Sequence, residues 1–248
     1  MRLGRVEAGT ELLALTRGLP ALDQRPSDDL RRLELRELAA VLAKHKGELE
    51  RALALQQTVV DDLDPTLYRV ELVTALVNLG NIQALLERGA EAERSYLEAL
   101  DLDPDEPEAL HNLGLLLSSQ PERAKQARAR LGRVAALDGH ELRISALIVL
   151  LNMDLEAGDA ALAEHREQLT PLLDGEPPPT PKQALEGWLL IALSYAAADD
   201  FGPSFIDALA RAPAPRTTDQ QRFYDQVMPL IEALASEAGV ALADRTDD

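Results

Sequence analysis

Apolar residues recur every three to four positions along most of the chain, the spacing of a helix with one buried stripe. Ser27 or Asp28 is a candidate N-cap for a helix running to about His45, with Leu30, Leu33, Leu35, Leu38, Val41 and Leu42 on its apolar side. Lys46-Gly47 turns the chain into a second helix, Glu48 to Asp62, closed by Asp64-Pro65. The pattern continues as helices over Thr66–Leu86, Ala90–Leu102, the first part of 107–139, 121–137, Glu141–Glu156 and Asp159–Leu173. The breaks fall at Asp103-Pro104, Ser119-Gln120-Pro121 and Gly158, where proline or glycine punctuates the period. Gly175 to Pro181 is a stiff, proline-rich connector, followed by helices Pro181–Ala198, Pro203–Arg211 and about Thr217 to Ala238. Pro229 lies inside the last of these and predicts a kink near Gln226. Residues 1–26 are weakly patterned, with Val6, Leu12, Leu13 and Leu15 as the apolar positions of a short helix or cap.

One stretch is followed by a near-copy of itself. Leu76-x-x-Leu79-Gly80, Ala92-x-x-x-Tyr96 and Asp103-Pro104 are matched by Leu110-x-x-Leu113-Gly114, Ala127-x-x-x-Leu131 and Asp138-Gly139. Gly80 and Gly114 are 34 residues apart. A glycine inside a helix costs about 1 kcal/mol relative to alanine, so two at matching places predict a close approach of the paired helix. Ala92 and Ala127 are the small residues expected there. Over 73–139 this pattern resembles the tetratricopeptide repeat (TPR), with weaker matches outward to about 33–175. Ala40, Ala52 and Pro65 mark 27–65 as a degenerate copy.

The resemblance implies an all-α, right-handed superhelical solenoid of TPR-like helix-turn-helix repeats with a less regular C-terminal helical cap. The domains then read as an extension or cap over 1–26 and repeats over 27–175 (about 27–65, 66–106, 107–139 and 140–175). A C-terminal helical region over 182–240 and an acidic tail over 241–248 follow. In such a solenoid the first helix of each pair lines a concave groove. That nominates Thr74, Val77, Asn78, Asn81, Leu85, Glu108, His111, Asn112, Leu115, Arg143, Ala146 and Leu150 as partner-binding residues. Some members of the family clamp a C-terminal carboxylate with basic residues and two asparagines on successive first helices. Asn81 and Asn112 match the asparagine places and Arg143 a basic one, but Val77 and Leu147 stand at the other two basic places.

Composition narrows the chemistry. Hydrophobic residues make up 46% of the chain and aromatics 3%, which favours helix over sheet and supplies a large core. There is no cysteine, so disulfide, thiolate and cysteine–zinc chemistry are excluded. His45, His111, His140 and His165 are scattered without metal-ligand spacing, and no glycine-rich nucleotide loop or nucleophile elbow occurs, so no catalytic residue, metal or cofactor is implied. The net charge of −18 opposes a phosphate backbone and suits a partner with a basic or apolar segment, so nucleic acid is not expected. With no apolar run of membrane-spanning length and no export signal, the expectation is a cytoplasmic protein that does not enter a membrane.

Acidic 91–108 and basic 121–137 are expected to attract each other. The function these features point to is a non-enzymatic scaffold or adaptor that holds a peptide, helix or partner domain. The alternative is a self-associating subunit, a homodimer paired through an apolar patch on the last helix such as Val227, Leu230, Ile231 and Leu234. An enzyme would show itself first by a perturbed carboxylate pair in a deep pocket.

Overall fold

A computed structural model of the chain describes residues 30–158, 161–175, 178–240 and 242. The expectations for 1–26, for the Ser27 or Asp28 cap, for a helix start at Asp159 and for the tail, Leu242 apart, lie outside the described residues. Among the described residues the fold is all-α, with no strand. The helices are α1 (Leu30–His45), α2 (Leu49–Asp62), α3 (Arg69–Leu85), α4 (Gly89–Leu102), α5 (Pro107–Ser118), α6 (Ala124–Ala135, led by a 3₁₀ turn Pro121–Arg123) and α7 (Arg143–Ala157). They continue as α8 (Leu162–Leu173), α9 (Pro181–Ala197), α10 (Pro203–Arg211) and α11 (Thr218–Glu237). None is long and apolar enough to cross a membrane.

The residues divide into two compact units, one ending at Leu116 and the other beginning at Leu117, so the division falls inside α5. In the first unit α1 packs on α2, α2 on α3 and α3 on α4. In the second, α7 packs between α6 and α8, and α9 contacts α7, α8, α10 and α11. The C-terminal helices are therefore built around α9.

Local chemistry sets the boundaries. Gly47 takes a left-handed φ of 77° between α1 and α2, and Gly158 one of 61° at the end of α7, where a side chain would be strained. Asp64 accepts from the Thr66 amide at 2.7 Å and its hydroxyl at 2.6 Å, and this turn delays α3 to Arg69 rather than Thr66. These bonds hold the Asp64 carboxyl below its ordinary pKa. The Leu142 amide donates to His140 Nδ1, and α7 begins at Arg143 rather than Glu141. Thr180 and Thr217 each form a reciprocal cap with the glutamine three residues on, Gln183 and Gln220. Pro229 does not interrupt α11.

Packing explains the internal glycine. A Cβ on Gly80 would stand 2.5 Å from Cε1 of Tyr96, so the ring lies directly on the backbone of α3. Ala92 is fully buried nearby in sequence, yet the group that needs the glycine is Tyr96. The second unit repeats the device unannounced by sequence: a Cβ on Gly187 of α9 would meet Leu173 Cδ1 of α8 at 2.7 Å. In the first unit Leu33, Val59, Leu63, Leu72, Val73, Leu76, Val77, Ala99 and Ala109 form one apolar cluster.

Gly80→Leu is expected to cost about 1–3 kcal/mol by overpacking against the buried Tyr96 ring. Urea denaturation of the purified variant measures it, and an unchanged midpoint would contradict this packing.

Candidate functional site

The candidate surface lies on the first helices of the pairs, and in the first unit it is built from asparagines. Asn78 Nδ2 donates to Glu37 Oε1 of α1 at 3.1 Å. Asn81 Oδ1 accepts two bonds, from Tyr96 Oη of α4 at 2.8 Å and from Asn112 Nδ2 of α5 at 2.8 Å. Asn112 Oδ1 sits 3.1 Å from His111 Nδ1. Because that oxygen can only accept, the histidine nitrogen carries the proton. Burial pushes the Tyr96 phenol far above its ordinary pKa, which keeps it a donor. The result is a polar chain, His111–Asn112–Asn81–Tyr96, that ties α3 to its partner α4 and to the next first helix, α5.

The nominated residues divide by burial. Thr74, Leu85, Glu108 and Leu115 are exposed, Leu85 by 56% and Leu115 by 48%. Asn78, Asn81, Asn112 and Arg143 are half-buried. Val77, His111, Ala146 and Leu150 are buried and cannot face a ligand. Val77 joins the apolar cluster of Leu33, Val73 and Ala109, because α3 is covered on more than one side. His111 is turned onto Asn112. Ala146 and Leu150 lie on the covered faces of α7, which packs against α6, α8 and α9. Arg143 binds Asp138 of its own chain, so its guanidinium already holds a carboxylate.

Sequence reasoning missed the charged centre of the second unit. Asp154 on α7 is fully buried, and its two oxygens receive Arg128 of α6 and His165 of α8. Arg128 Nη2 also donates to the Met153 carbonyl at 3.0 Å. The basic stretch 121–137 thus turns Arg128 to Asp154, a residue 26 positions on and outside the acidic 91–108. No local spacing signals this three-helix contact.

A cleft of about 410 Å³ also lies in the second unit, lined by His140, Leu142, Arg143, Leu172, Pro178 and Gln183 among others. Glu186 is pushed above the ordinary carboxylate range by burial, opposed by Lys182 at 3.7 Å. Its charged neighbour is thus an ammonium rather than a second carboxylate. Among the described residues no group of three or more histidine, aspartate or glutamate side chains could hold a metal ion. The proposed apolar patch on α11 is largely spent internally: Val227 and Ile231 are buried and Leu234 half-buried, while Leu230 remains 54% exposed.

No family model matches the chain, and no curated protein does. Solved structures do. One is YrrB, described as a TPR protein with an unusual peptide-binding site, at 20% identity over 88% of this chain and 96% of that one, with a TM-score of 0.58. Another is BtubC (BKLC) from P. vanneervenii, at 16% identity over 97% of this chain and 96% of that one, with a TM-score of 0.64. The fold is that of the TPR-type repeat proteins. At these identities the likeness speaks for architecture alone.

Asp154→Ala would leave Arg128 and His165 without their shared acceptor. A cost of about 3 kcal/mol is expected, the low end for a broken buried pair because Arg128 is partly exposed. Thermal unfolding checks it, and a shift no larger than that of an ordinary surface substitution would contradict the assignment.

Proposed function

We propose that this protein is a non-enzymatic interaction scaffold that binds a peptide or helix of a partner protein along the first-helix face of its repeats. The observation that carries the reading is the asparagine chain. It fixes consecutive first helices α1, α3 and α5 by side-chain hydrogen bonds, so the face is ordered before any partner arrives. A preformed face avoids much of the ordering cost of association. Thr74, Leu85, Glu108 and Leu115 are left exposed on it for contact. YrrB, with its peptide-binding site, supports a peptide as the kind of partner a fold of this type accommodates.

The chemistry of these residues selects the peptide. Two leucines, a threonine and a glutamate favour apolar side chains with basic neighbours, and the net charge of −18 favours the same sign of partner. The carboxylate clamp is not part of this reading, because Asn81, Asn112 and Arg143 are engaged within the chain.

A displayed library of apolar–basic peptides, screened against wild type and against a Thr74→Arg, Leu115→Asp variant, tests the reading. The expected result is a peptide family whose affinity falls at least about tenfold in the variant, as loss of one central contact of about 1.4 kcal/mol or more would give. Peptides retained equally by both proteins, or none captured by wild type, would contradict it.

A further inference from the structure

The cleft of about 410 Å³ in the second unit lies where the entry of α7, the end of α8 and the entry of α9 meet. Its volume falls within the roughly 300–1,000 Å³ of small-molecule sites. Ile144 of α7, Leu172 of α8 and Pro179 ahead of α9 supply apolar wall.

The polar residues of the lining have their acceptors spent and their donors left over. His140 Nδ1 accepts the Leu142 amide at 3.2 Å, which puts the proton of the neutral ring on Nε2. Gln183 Oε1 accepts both the amide and the hydroxyl of Thr180 at 2.9 Å, inside the cap of α9. The Gln183 Nε2 group, a double donor, has no hydrogen-bond partner among the described residues. Arg143 gives Nη1 to Asp138, while its buried Nε is unpartnered among the described residues. No side chain caps the start of α7, which Arg143 and Ile144 bring to the cleft, and its first turn holds no acidic residue. That end of the helix therefore adds positive potential to the donors. Asp138 is a weak competitor for Arg143, because its side chain is 90% exposed and an ion pair so open is worth little. Glu141, the acid in the lining, is exposed and solvated.

We propose that this cleft binds a small amphipathic carboxylate, an apolar chain or ring that ends in a carboxyl group. The carboxylate takes the donors of Arg143, His140 and Gln183, and the apolar part lies on Ile144, Leu172 and Pro179. A guanidinium offers its donors as a fork that fits the two oxygens of a carboxylate. An amine would be repelled by the same groups, and a neutral amide would leave the guanidinium charge unanswered. The net charge of −18 repels anions in general, so the affinity rests on these local donors. The site is separate from the groove reading: it lies in the second unit and needs no partner protein.

Octanoate is the probe, with acetate as a carboxylate that lacks the chain and octanamide as a chain that lacks the charge. Calorimetry on the full chain gives the affinities, and nitrogen-15 spectra locate the ligand through Ile144, the Arg143 Nε and the Gln183 side-chain amide. The expected result is octanoate bound at least about tenfold more tightly than either control, with those three signals shifted. Arg143→Gln is expected to weaken octanoate by about tenfold or more and to leave octanamide unchanged. The wild-type affinities and shifts decide the question even where that variant fails to fold. Equal affinity for octanoate and octanamide, no octanoate binding at millimolar concentration, or shifts confined to other residues would each overturn the proposal. A peptide with a free terminal carboxylate, acetyl-Ala-Ala-Leu, bound more tightly than octanoate would overturn the small-molecule assignment and give the cleft to a chain terminus.

Discussion

The contact on which the first unit depends is the Tyr96 ring lying on the bare backbone of Gly80. A two-layer helix pair is thin, and it buries enough apolar surface only if its helices approach closely. Removing a side chain at Gly80 lets the flat ring of α4 lie against α3, and the ring then fills the volume a larger contact would need. The same position sends the phenol hydroxyl to Asn81, one residue beyond the glycine. Asn81 in turn accepts from Asn112. One aromatic side chain thereby links the packing within a pair to the hydrogen bonding between pairs.

This link decides what the surface has left for a partner. An asparagine on a groove face is a free donor and acceptor only when its neighbours do not use it. Here Asn78, Asn81 and Asn112 are engaged inside the chain and half-buried, and Arg143 pairs through Nη1 with Asp138 while its buried Nε has no hydrogen-bond partner among the described residues. These residues shape the face, while Thr74, Leu85 and Leu115 stand out from it toward solvent. The second unit holds its helices by different means. It uses the buried Asp154 between Arg128 and His165, and the Arg211 guanidinium 5.0 Å over the Trp188 ring while paired with Asp174 and Asp207. Arg166 stacks in the same way on Tyr195, at 3.9 Å.

What was legible in the sequence was local. Lys46-Gly47, Gly158 and Thr180-Pro181 carry their turn and cap chemistry in adjacent residues, and the structure places helix ends at or within a few residues of them. The Leu-Gly repeat announced a close approach, but spacing alone assigned it to Ala92, because nothing local tells which residue of the partner helix lies over the glycine. Gly187 escaped notice because its partner Leu173 sits across the proline connector and the match to the repeat had faded. The groove list failed at Val77, His111, Ala146 and Leu150 for a related reason: a helix packed on several sides buries positions that helical spacing alone would leave facing out. Asp154 was beyond reach, since its partners are 26 and 11 residues away on two other helices.

The most direct measurement is a double-mutant cycle in urea on Asn81→Ala and Tyr96→Phe. If Asn81 is the hinge between pairs, each single change destabilises the protein by about 1 kcal/mol or more, since each leaves buried hydrogen-bonding groups unmatched. The double mutant then falls short of the sum by a coupling of about 0.5 kcal/mol or greater. Additive losses, or an Asn81→Ala protein as stable as wild type, would contradict the account and return Asn81 to the set of free ligand contacts.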